Sequence, residues 1–261
     1  MDVALLDRQG PVAVVTLNRP EVRNAVNTEM AVAVGRILEE VANDREIRAV
    51  VITGAGDKSF CAGADLKAIA NGAGKPLDPE HPEWGFAGVV RHEIDKPLIA
   101  AVNGFALGGG TEIALASDLV VASTTATFGL PEVKRGIVAG AGGLVRLKQQ
   151  IPLKVAMRLT LTGEPMSAAE AGRWGLVNEV VEPEEVLPTA IRLGECIAQN
   201  APVAVRWSRR VLLELADGVR VGEQVGWRLS GEASSVIRAS ADLLEGTRAF
   251  AEKRAPQWQG A

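Results

Sequence analysis

Hydrophobic and polar residues alternate in blocks along most of the chain, and the first blocks predict a hairpin, a helix and a strand. Apolar runs at residues 3–6 and 12–17 flank a polar turn, a pattern typical of a β-hairpin. A helix is expected next, with Asn27 or Thr28 as its N-terminal cap. Its apolar stripe consists of Met30, Val34, Leu38 and Val41. Residues 49–53 then predict a buried strand.

The segment 96–143 carries the densest pattern of this kind. An apolar run at Leu98–Val102 predicts a buried strand, and three glycines follow at 108–110 before a helix begins near Glu112. A second apolar run at 119–122 predicts another strand. A glycine-rich turn before a helix lets a ligand approach the backbone and leaves N–H groups free to meet it. The pattern therefore predicts a ligand site at this turn.

Two glutamates stand where helices are expected to begin. Glu112 lies in the first turn after the glycines, and Glu132 follows Pro131. Two carboxyl groups beside free N–H groups can form an acid/base pair next to an oxyanion site. A glutamate in a first helical turn can equally do no more than complement the helix dipole. Spacing alone leaves both interpretations open.

The middle of the chain contains less regular patterns. Small residues at 59–66 predict a turn that enters another helix. Residues 71–88 are rich in Gly and Pro and predict a long loop or partly ordered helix, which would form a lid or a variable wall. A helical pattern covers 143–160, interrupted at Pro152, and 161–181 predict a short strand, a turn, a helix and a short strand.

The last part of the chain is helical by pattern. From Pro183 onward the apolar period is helical, with breaks near 201–202 and 217–218 and without the alternation of a strand. Repeated strand, strand, helix units thus precede a helical region. We therefore predict an α/β fold with a β-β-α core over residues 1–200 and a helical region over 201–261.

Composition narrows the classes of function. The 261 residues suffice for a full core, and a net charge of −4 with a pI near 5.4 argues against a nucleic-acid-binding surface. No apolar run of about 18 residues occurs, so no membrane span is expected. The first ten residues, MDVALLDRQG, lack the basic and apolar regions of an export signal, and we expect a cytoplasmic protein.

Neither the cysteines nor the histidines have the spacing of a metal site. Cys61 and Cys196 are far apart and need not pair, which fits a reduced compartment. His81 and His92 lack zinc-type spacing and are expected at the surface. No G-x-G-x-x-G motif follows a strand and no G-x-x-x-x-G-K-[ST] motif occurs. We therefore expect no metal and no bound nucleotide cofactor.

Three segments together resemble the crotonase superfamily and, within it, the enoyl-CoA hydratases. They read SFCAGADLK (59–67), AAVNGFALGGGTEIALASDLVVAS (100–123) and FGLPEVKRGIVAGAGG (128–143). The resemblance covers nearly the whole chain, and the ending FAEKRAPQWQG is similar to the carnitinyl-CoA dehydratases. It implies a crotonase-like spiral of repeated β-β-α units with a helical C-terminal trimerisation region. A homotrimer or a dimer of trimers is expected.

The resemblance also implies an activity and its residues. Water would add to the double bond of a 2-enoyl-CoA thioester, as in fatty acid β-oxidation, with coenzyme A supplied by the substrate and no separate cofactor. The backbone N–H groups of Ala64 and Gly109 would form the oxyanion hole, and Glu112 would activate water while Glu132 protonates C2. A side chain at Gly109 is expected to obstruct the thioester. Residues implied in binding the substrate and its CoA are Ala64, Asp65, Leu66, Lys67 and Arg23.

Four other functions compete with hydration. A dehydratase of a substituted 3-hydroxyacyl-CoA, such as carnitinyl-CoA, would use the same residues. A 3,2-enoyl-CoA isomerase can work with one carboxylate, so the presence of both Glu112 and Glu132 argues against it. RNA binding, which the resemblance also allows, would require a basic stripe, and the acidic pI disfavours it. A catalytically silent scaffold would not need both carboxyl groups.

Overall fold

The protein is described by a computed structural model that covers residues 2–72, 74–252 and 254–260. Its two main sheets are built from β1 (Ala4–Gln9), β2 (Val12–Leu17), β3 (Ala49–Gly54), β4 (Ser59–Cys61), β5 (Leu98–Val102), β6 (Phe105–Leu107), β7 (Leu119–Ser123), β8 (Thr127–Gly129), β9 (Met166–Ser167) and β10 (Glu179–Val181). A six-stranded sheet in the order β1-β2-β3-β5-β7-β10 forms the main layer, and a four-stranded sheet in the order β4-β6-β8-β9 lies beside it. A separate hairpin pairs β11 (Leu215–Ala216) with β12 (Val219–Arg220).

Ten helices surround these sheets in the described part of the chain. They are α1 (Thr28–Asn43), α2 (Leu66–Ala70), α3 (Gly109–Ala116), α4 (Gly143–Gln150), α5 (Leu153–Thr162), α6 (Ala168–Arg173), α7 (Val186–Ala198), α8 (Pro202–Leu212), α9 (Gln224–Arg238) and α10 (Ala241–Glu252). Asn27 caps α1 by accepting the Met30 N–H at 3.0 Å, and Ser167 caps α6 in the same way through Glu170. None of the helices described here is long and apolar enough to cross a bilayer.

The main sheet is buried on both faces, and its alternating side chains pack against different helices. β1 and β2 form an antiparallel hairpin, while the pairs from β2 through β3, β5 and β7 to β10 are parallel. On one face Val14, Val51 and Ile99 pack with Val186 and Ala190 of α7. The alternate strand residues join the larger core that contains α1. This period of two is the geometry of an extended strand.

Three strand, strand, helix units repeat along the chain, in agreement with the predicted spiral. They are β3-β4-α2, β5-β6-α3 and β7-β8 with the short 3-10 helix Pro131–Arg135. The parallel pairing of β4 with β6 and of β6 with β8 aligns these units, so the starts of α2, α3 and the 3-10 helix come together. The site is built at this convergence.

Several short elements differ from the sequence prediction. Ser59–Cys61 is a strand where we expected only a turn, and the predicted short strand after residue 160 is the last turn of α5, with the strand itself at Met166–Ser167. The helical C-terminal region contains the β11-β12 hairpin, whose turn residues Asp217 and Gly218 both have positive φ. Two or three residues are too few to show a strand period in the sequence.

The prediction of a surface position was wrong for His92. Its side chain is 5% exposed, its ring stacks on Trp84 at 4.3 Å, and its nitrogens lie 2.8 Å from a Glu39 carboxyl oxygen and 3.0 Å from the Gly88 carbonyl oxygen. His81 stacks on the same indole and remains partly exposed. The loop that we expected over residues 71–88 is therefore anchored at its end by aromatic packing.

A chain of buried ion pairs ties the C-terminal helices to the core. It runs through Arg146, Glu223, Arg220, Glu93, Arg209 and Asp118. Arg146 makes a two-pronged contact with Glu223 at 2.8 and 3.0 Å and donates to the Val90 carbonyl. Asp118, whose place after a helix suggests only a turn, is one end of this chain. Removing one member of such a pair would leave a buried charge unpaired.

Candidate active site

The glycine turn before α3 places the start of this helix inside the protein. Gly108 has a φ of 55°, which favours glycine, and every residue of α3 is buried. The Thr111 hydroxyl lies 2.6 Å from the Ala106 carbonyl oxygen and accepts the Gly129 N–H at 3.0 Å. These contacts fix the first turn of α3 against both β6 and β8. The N–H groups of that turn therefore have a set direction.

The two amides that the sequence resemblance assigns to an oxyanion hole lie on adjoining segments. Val26 bridges to both neighbours of Ala64, since its N–H donates to Gly63 and its carbonyl accepts from Asp65. Among the described residues, no acceptor takes the N–H of Ala64 or of Gly109. A Cβ atom at Gly63 would lie 3.1 Å from the Gly109 nitrogen, so the two segments are in contact. Two free N–H donors are thus brought together.

Gly109 faces a wall that the sequence did not reveal. A Cβ atom at Gly109 would lie 2.3 Å from the Cζ atom of Phe86, within the 3-10 turn Phe86–Gly88. The first obstruction to a side chain at this position is therefore the Phe86 ring. Residues 71–88, which we predicted to form a lid or a variable wall, supply this ring at the turn that carries Gly109.

Glu112 joins α3 to the start of α4. It is 3% exposed, and its Oε1 accepts the Gly143 N–H at 2.8 Å. A Cβ atom at Gly143 would lie 3.1 Å from the same oxygen, so a larger residue there would crowd the carboxyl group. The carboxyl group therefore does more than complement the dipole of its own helix, because it accepts a hydrogen bond from the N-terminus of another helix.

Glu132 approaches the same turn from the other side. It belongs to the 3-10 helix Pro131–Arg135, and its Oε1 lies 3.0 Å from the position that a Cβ atom at Gly108 would take. Its Oε2 is buried, and no partner for it exists among the described residues. An unpaired buried carboxyl oxygen is costly for the fold, and such a cost is typical of a group with a functional role.

Burial shifts the pKa of both carboxyl groups upward. Desolvation raises the pKa of Glu112 to about 8, and the nearby Glu132 adds to this shift, while the Gly143 and Ala141 N–H groups oppose it. Desolvation also raises the pKa of Glu132 to about 7. The pair therefore shares one proton near neutral pH, so an acid and a base are available together.

The residues assigned to CoA binding lie around the start of α2. The Asp65 carboxylate caps this helix through the Ala68 N–H at 3.0 Å and pairs with Arg19 at 3.0 Å. Burial acts to raise the pKa of Asp65, but these two contacts lower it overall. Asp65 is thus engaged in holding the loop, whereas Leu66, Lys67 and Arg23 are exposed. In the described parts of the chain, no three His, Cys, Asp or Glu side chains are placed to hold a metal ion.

Comparison with known proteins places this chain in a family. The family model described as Enoyl-CoA hydratase/isomerase matches residues 7–261. The chain belongs to this family. A carnitinyl-CoA dehydratase from Salmonella typhi is 42% identical over 259 residues, which cover 98% of this chain and 97% of that protein. A carnitinyl-CoA hydratase structure from Mycobacterium avium is 55% identical to this chain, with a TM-score of 0.97. An enoyl-CoA hydratase structure from Mycobacterium tuberculosis H37Rv is 39% identical, with a TM-score of 0.78. Each alignment covers 100% of this chain and 100% of the other.

In this enoyl-CoA hydratase/isomerase family member, three residues near the site escaped prediction from the sequence: Phe86, Arg146 and Trp227. Arg146 lies on α4, the helix whose first N–H group binds Glu112. Trp227 lies against the turn before that helix, since a Cβ atom at Gly142 would be 3.0 Å from its ring. Phe86 lies in a segment without a period. The Trp227 N–H and Arg146 both donate hydrogen bonds to Glu223. Arg146 and Glu223 are 77 residues apart, so no local sequence pattern could indicate their contact.

Proposed function

We propose that this protein is an enoyl-CoA hydratase, which adds water reversibly to a 2-enoyl-CoA thioester and forms a 3-hydroxyacyl-CoA. The observation that carries the proposal is the meeting of two buried carboxyl groups, Glu112 and Glu132, with two free amides at Ala64 and Gly109. A hydratase needs both parts, because it must stabilise an oxyanion and move two protons.

The amides would act on the thioester oxygen. When water attacks C3, the electrons of the double bond move toward the carbonyl, and negative charge develops on its oxygen. The N–H groups of Ala64 and Gly109 would donate to that oxygen. Loss of one such donor typically costs about 2.7–4 kcal/mol in the transition state. These backbone donors, held by the bridge of Val26 to Ala64 and by the start of α3, cannot rotate away.

The two glutamates would share the proton transfers. The higher pKa of Glu112 places the shared proton there in the free site, so the proposed roles require that proton to pass to Glu132 when substrate binds. Glu112 as a carboxylate then takes a proton from water, whose oxygen bonds to C3, and Glu132 as a carboxylic acid gives a proton to C2. The N–H bond from Gly143 orients Glu112 as an acceptor, and the unpartnered Oε2 of Glu132 leaves that group free to act on the substrate. Return of one proton from Glu112 to Glu132, directly or through solvent, restores the pair.

The CoA portion would lie along α2. Leu66 and Lys67 are exposed there, and Arg23 is exposed on the neighbouring turn, so both cations are available to phosphate groups. Asp65 would serve by fixing the loop that carries Ala64. Coenzyme A would enter as part of the substrate without any separate cofactor, in a cytoplasmic protein that acts in fatty acid β-oxidation.

A second candidate is the dehydration of a substituted 3-hydroxyacyl-CoA such as carnitinyl-CoA. The names of the Salmonella typhi and Mycobacterium avium relatives, with 42% and 55% identity, favour this candidate. Its chemistry is the reverse of hydration and uses the same carboxyl pair. An isomerase is less favoured, since it needs one acid/base group and this site holds two.

Kinetics with a panel of thioesters tests the proposal. Crotonyl-CoA, a 3-enoyl-CoA and carnitinyl-CoA are each incubated with the purified protein, and the rates are compared. We expect hydration of crotonyl-CoA, followed by loss of the conjugated double bond, to be the fastest reaction. Faster conversion of the 3-enoyl thioester would assign an isomerase, and faster conversion of carnitinyl-CoA would assign the dehydratase.

Substitution of the carboxyl groups tests their roles. Glu112→Gln and Glu132→Gln should each lower kcat for hydration by roughly 10²–10⁴, because each removes one proton transfer. The matched control is Glu164→Gln, an exposed glutamate paired with Lys134, which should retain wild-type activity. Near wild-type hydration by either site variant would exclude that residue from the chemistry.

A further inference from the structure

A cavity of about 350 Å³ lies beside the turn that precedes α4. Its lining includes Phe86, Ala141 and Trp227. Phe86 abuts Gly109, and the Ala141 N–H hydrogen-bonds to Glu112, so the cavity continues the proposed reaction site. Its volume lies at the small end of the range for small-molecule pockets. The end of an acyl chain held at the oxyanion amides would enter it.

The cavity has one charged group, and that group is cationic. Arg91 lies in the lining, and the described lining residues include no carboxylate. Arg91 is exposed, and among the described side chains no acidic group lies within 4.0 Å to pair with it. Its guanidinium group therefore has hydrogen-bonding capacity left for a ligand.

Polar groups in the same cavity add a donor. Ser230 is 6% exposed and lines the cavity, and no partner for its hydroxyl exists among the described residues. The neighbouring Ser234 already donates to the Ser230 carbonyl oxygen at 2.8 Å. A free hydroxyl beside an unpaired guanidinium group suits a carboxylate, which accepts hydrogen bonds from both.

The aromatic ring of the cavity is unsuited to an ammonium group. Recognition of a quaternary ammonium usually requires an open aromatic face. Here the guanidinium carbons of Arg91 and Arg146 lie 5.0 and 5.6 Å from the centre of the Trp227 ring. A cationic acyl end would thus meet an arginine already stacked on the indole, and like charges repel.

From these contacts we propose that the preferred substrate is a 2-enoyl-CoA whose acyl chain ends in a carboxylate, which Arg91 and Ser230 bind. The proposal rests on the proposed function for its orientation of the thioester. It separates this protein from the relatives named for carnitinyl-CoA, because a trimethylammonium end would be disfavoured. Arg91 and Ser230 set specificity at a distance from the bond that reacts.

Binding of saturated, unreactive thioesters tests the proposal independently of catalysis. Titration calorimetry compares adipoyl-CoA, which ends in a carboxylate, with hexanoyl-CoA and with 4-trimethylammoniobutyryl-CoA. We expect adipoyl-CoA to bind about fivefold more tightly than hexanoyl-CoA, an effect in the range of a partly exposed ion pair. The trimethylammonium thioester should bind most weakly of the three.

Variants assign the preference to the cavity. Arg91→Gln should abolish the advantage of adipoyl-CoA, Arg91→Glu should reverse it in favour of the trimethylammonium thioester, and Ser230→Ala should reduce it. Arg173→Gln, an exposed arginine on α6 without a described acidic partner, is the matched control and should leave it unchanged.

Two outcomes would overturn the proposal. Equal binding of the three thioesters by the wild-type protein is one, and an unchanged ranking in Arg91→Glu is the other. Hydration of crotonyl-CoA, whose acyl chain ends in an uncharged methyl group, is measured in parallel with the same proteins. If the wild-type protein does not hydrate crotonyl-CoA, the proposed function is wrong. The order of the three binding affinities alone decides whether the cavity binds a terminal carboxylate.

Discussion

Glu112 and Glu132 carry carboxyl groups that would be ionised at neutral pH on a protein surface. Desolvation raises the pKa of both; Glu112 lies in the first turn of α3, and Glu132 lies against Gly108 just before that helix. The sequence could indicate the two residue types and their helix starts. It could not indicate that Glu112 accepts a hydrogen bond from another helix, because the Gly143 N–H that binds Glu112 lies 31 residues away.

The pKa shifts predict a narrow pH optimum for kcat/KM. Below pH about 7 both carboxyl groups become protonated and the base is lost, and above about 8 both ionise and the acid is lost. Activity should therefore be highest between these values and fall on both sides, by about tenfold per pH unit in the limbs. A profile that stays flat from pH 5 to 7 would show that the shared proton is not required.

Gly110 should resist substitution although it lies in a helix. Gly→Ala in a helix usually stabilises a protein by about 1 kcal/mol. A Cβ atom at Gly110 would lie 2.1 Å from the carbonyl oxygen of Cys61, a backbone atom of β4 that cannot move aside cheaply. Gly110→Ala should therefore lower the free energy of unfolding by about 1–3 kcal/mol, measured by urea denaturation.

The control for this prediction is a helical glycine in open space. A Cβ atom at Gly231 on α9 would have no described neighbour within 4 Å, so Gly231→Ala should be neutral or stabilising. Equal effects of the two substitutions would contradict the close approach of α3 to β4.

Among the secondary-structure elements, long helices and apolar strands were predictable, while the three-residue strands β4, β6 and β8 were not. The stripe of α1 and the run of β5 agree with their predicted bounds, since each has enough residues to show a period. β4, β6 and β8 exist because parallel neighbours pair with them, which is tertiary information. Their pairing nevertheless decides where the starts of α2 and α3 meet.

Arg146 should be the most sensitive position on α4. It is 2% exposed and holds Glu223 with two hydrogen bonds. Arg146→Met would leave Glu223 buried with one fewer partner, so we expect a loss of about 3–5 kcal/mol in the free energy of unfolding. Arg146→Met combined with Glu223→Gln should cost less than the sum of the two single changes.

An exposed ion pair on α9 provides the comparison for Arg146. Arg228 and Glu232 are 62% and 58% exposed, and Arg228→Met should cost less than about 1 kcal/mol. Urea unfolding of these variants beside the wild-type protein measures the effects. A small effect of Arg146→Met would mean that the buried chain of ion pairs does not tie α9 to the core.

Over the whole molecule, the outer helices carry apolar residues that the single chain leaves exposed. On α8 they are Val203, Trp207 and Val211, on α5 they are Leu153, Met157 and Leu161, and both sets recur every four residues. Such a spacing places each set on one helix face. Exposed apolar stripes of this kind usually mark an interface between subunits. They support the expected trimer or dimer of trimers, which stays a prediction.

Sedimentation equilibrium tests this assembly. The wild-type protein should have three or six times the mass of one chain, and Val211→Asp should shift it toward the monomer because a charge would be buried at the interface. Leu5→Asp, an exposed apolar residue on β1 that lies outside these stripes, should keep the wild-type mass. A monomeric wild-type protein would refute the predicted assembly.

The most direct test of the central claim is hydration of crotonyl-CoA in D₂O, with the product examined by mass spectrometry and NMR. We predict 3-hydroxybutyryl-CoA with one deuterium at C2 from the wild-type protein, and almost none from Glu112→Gln or Glu132→Gln. Unchanged crotonyl-CoA with the wild-type protein, or the same deuterated product from either variant, would contradict a shared proton-transfer role for these two carboxyl groups.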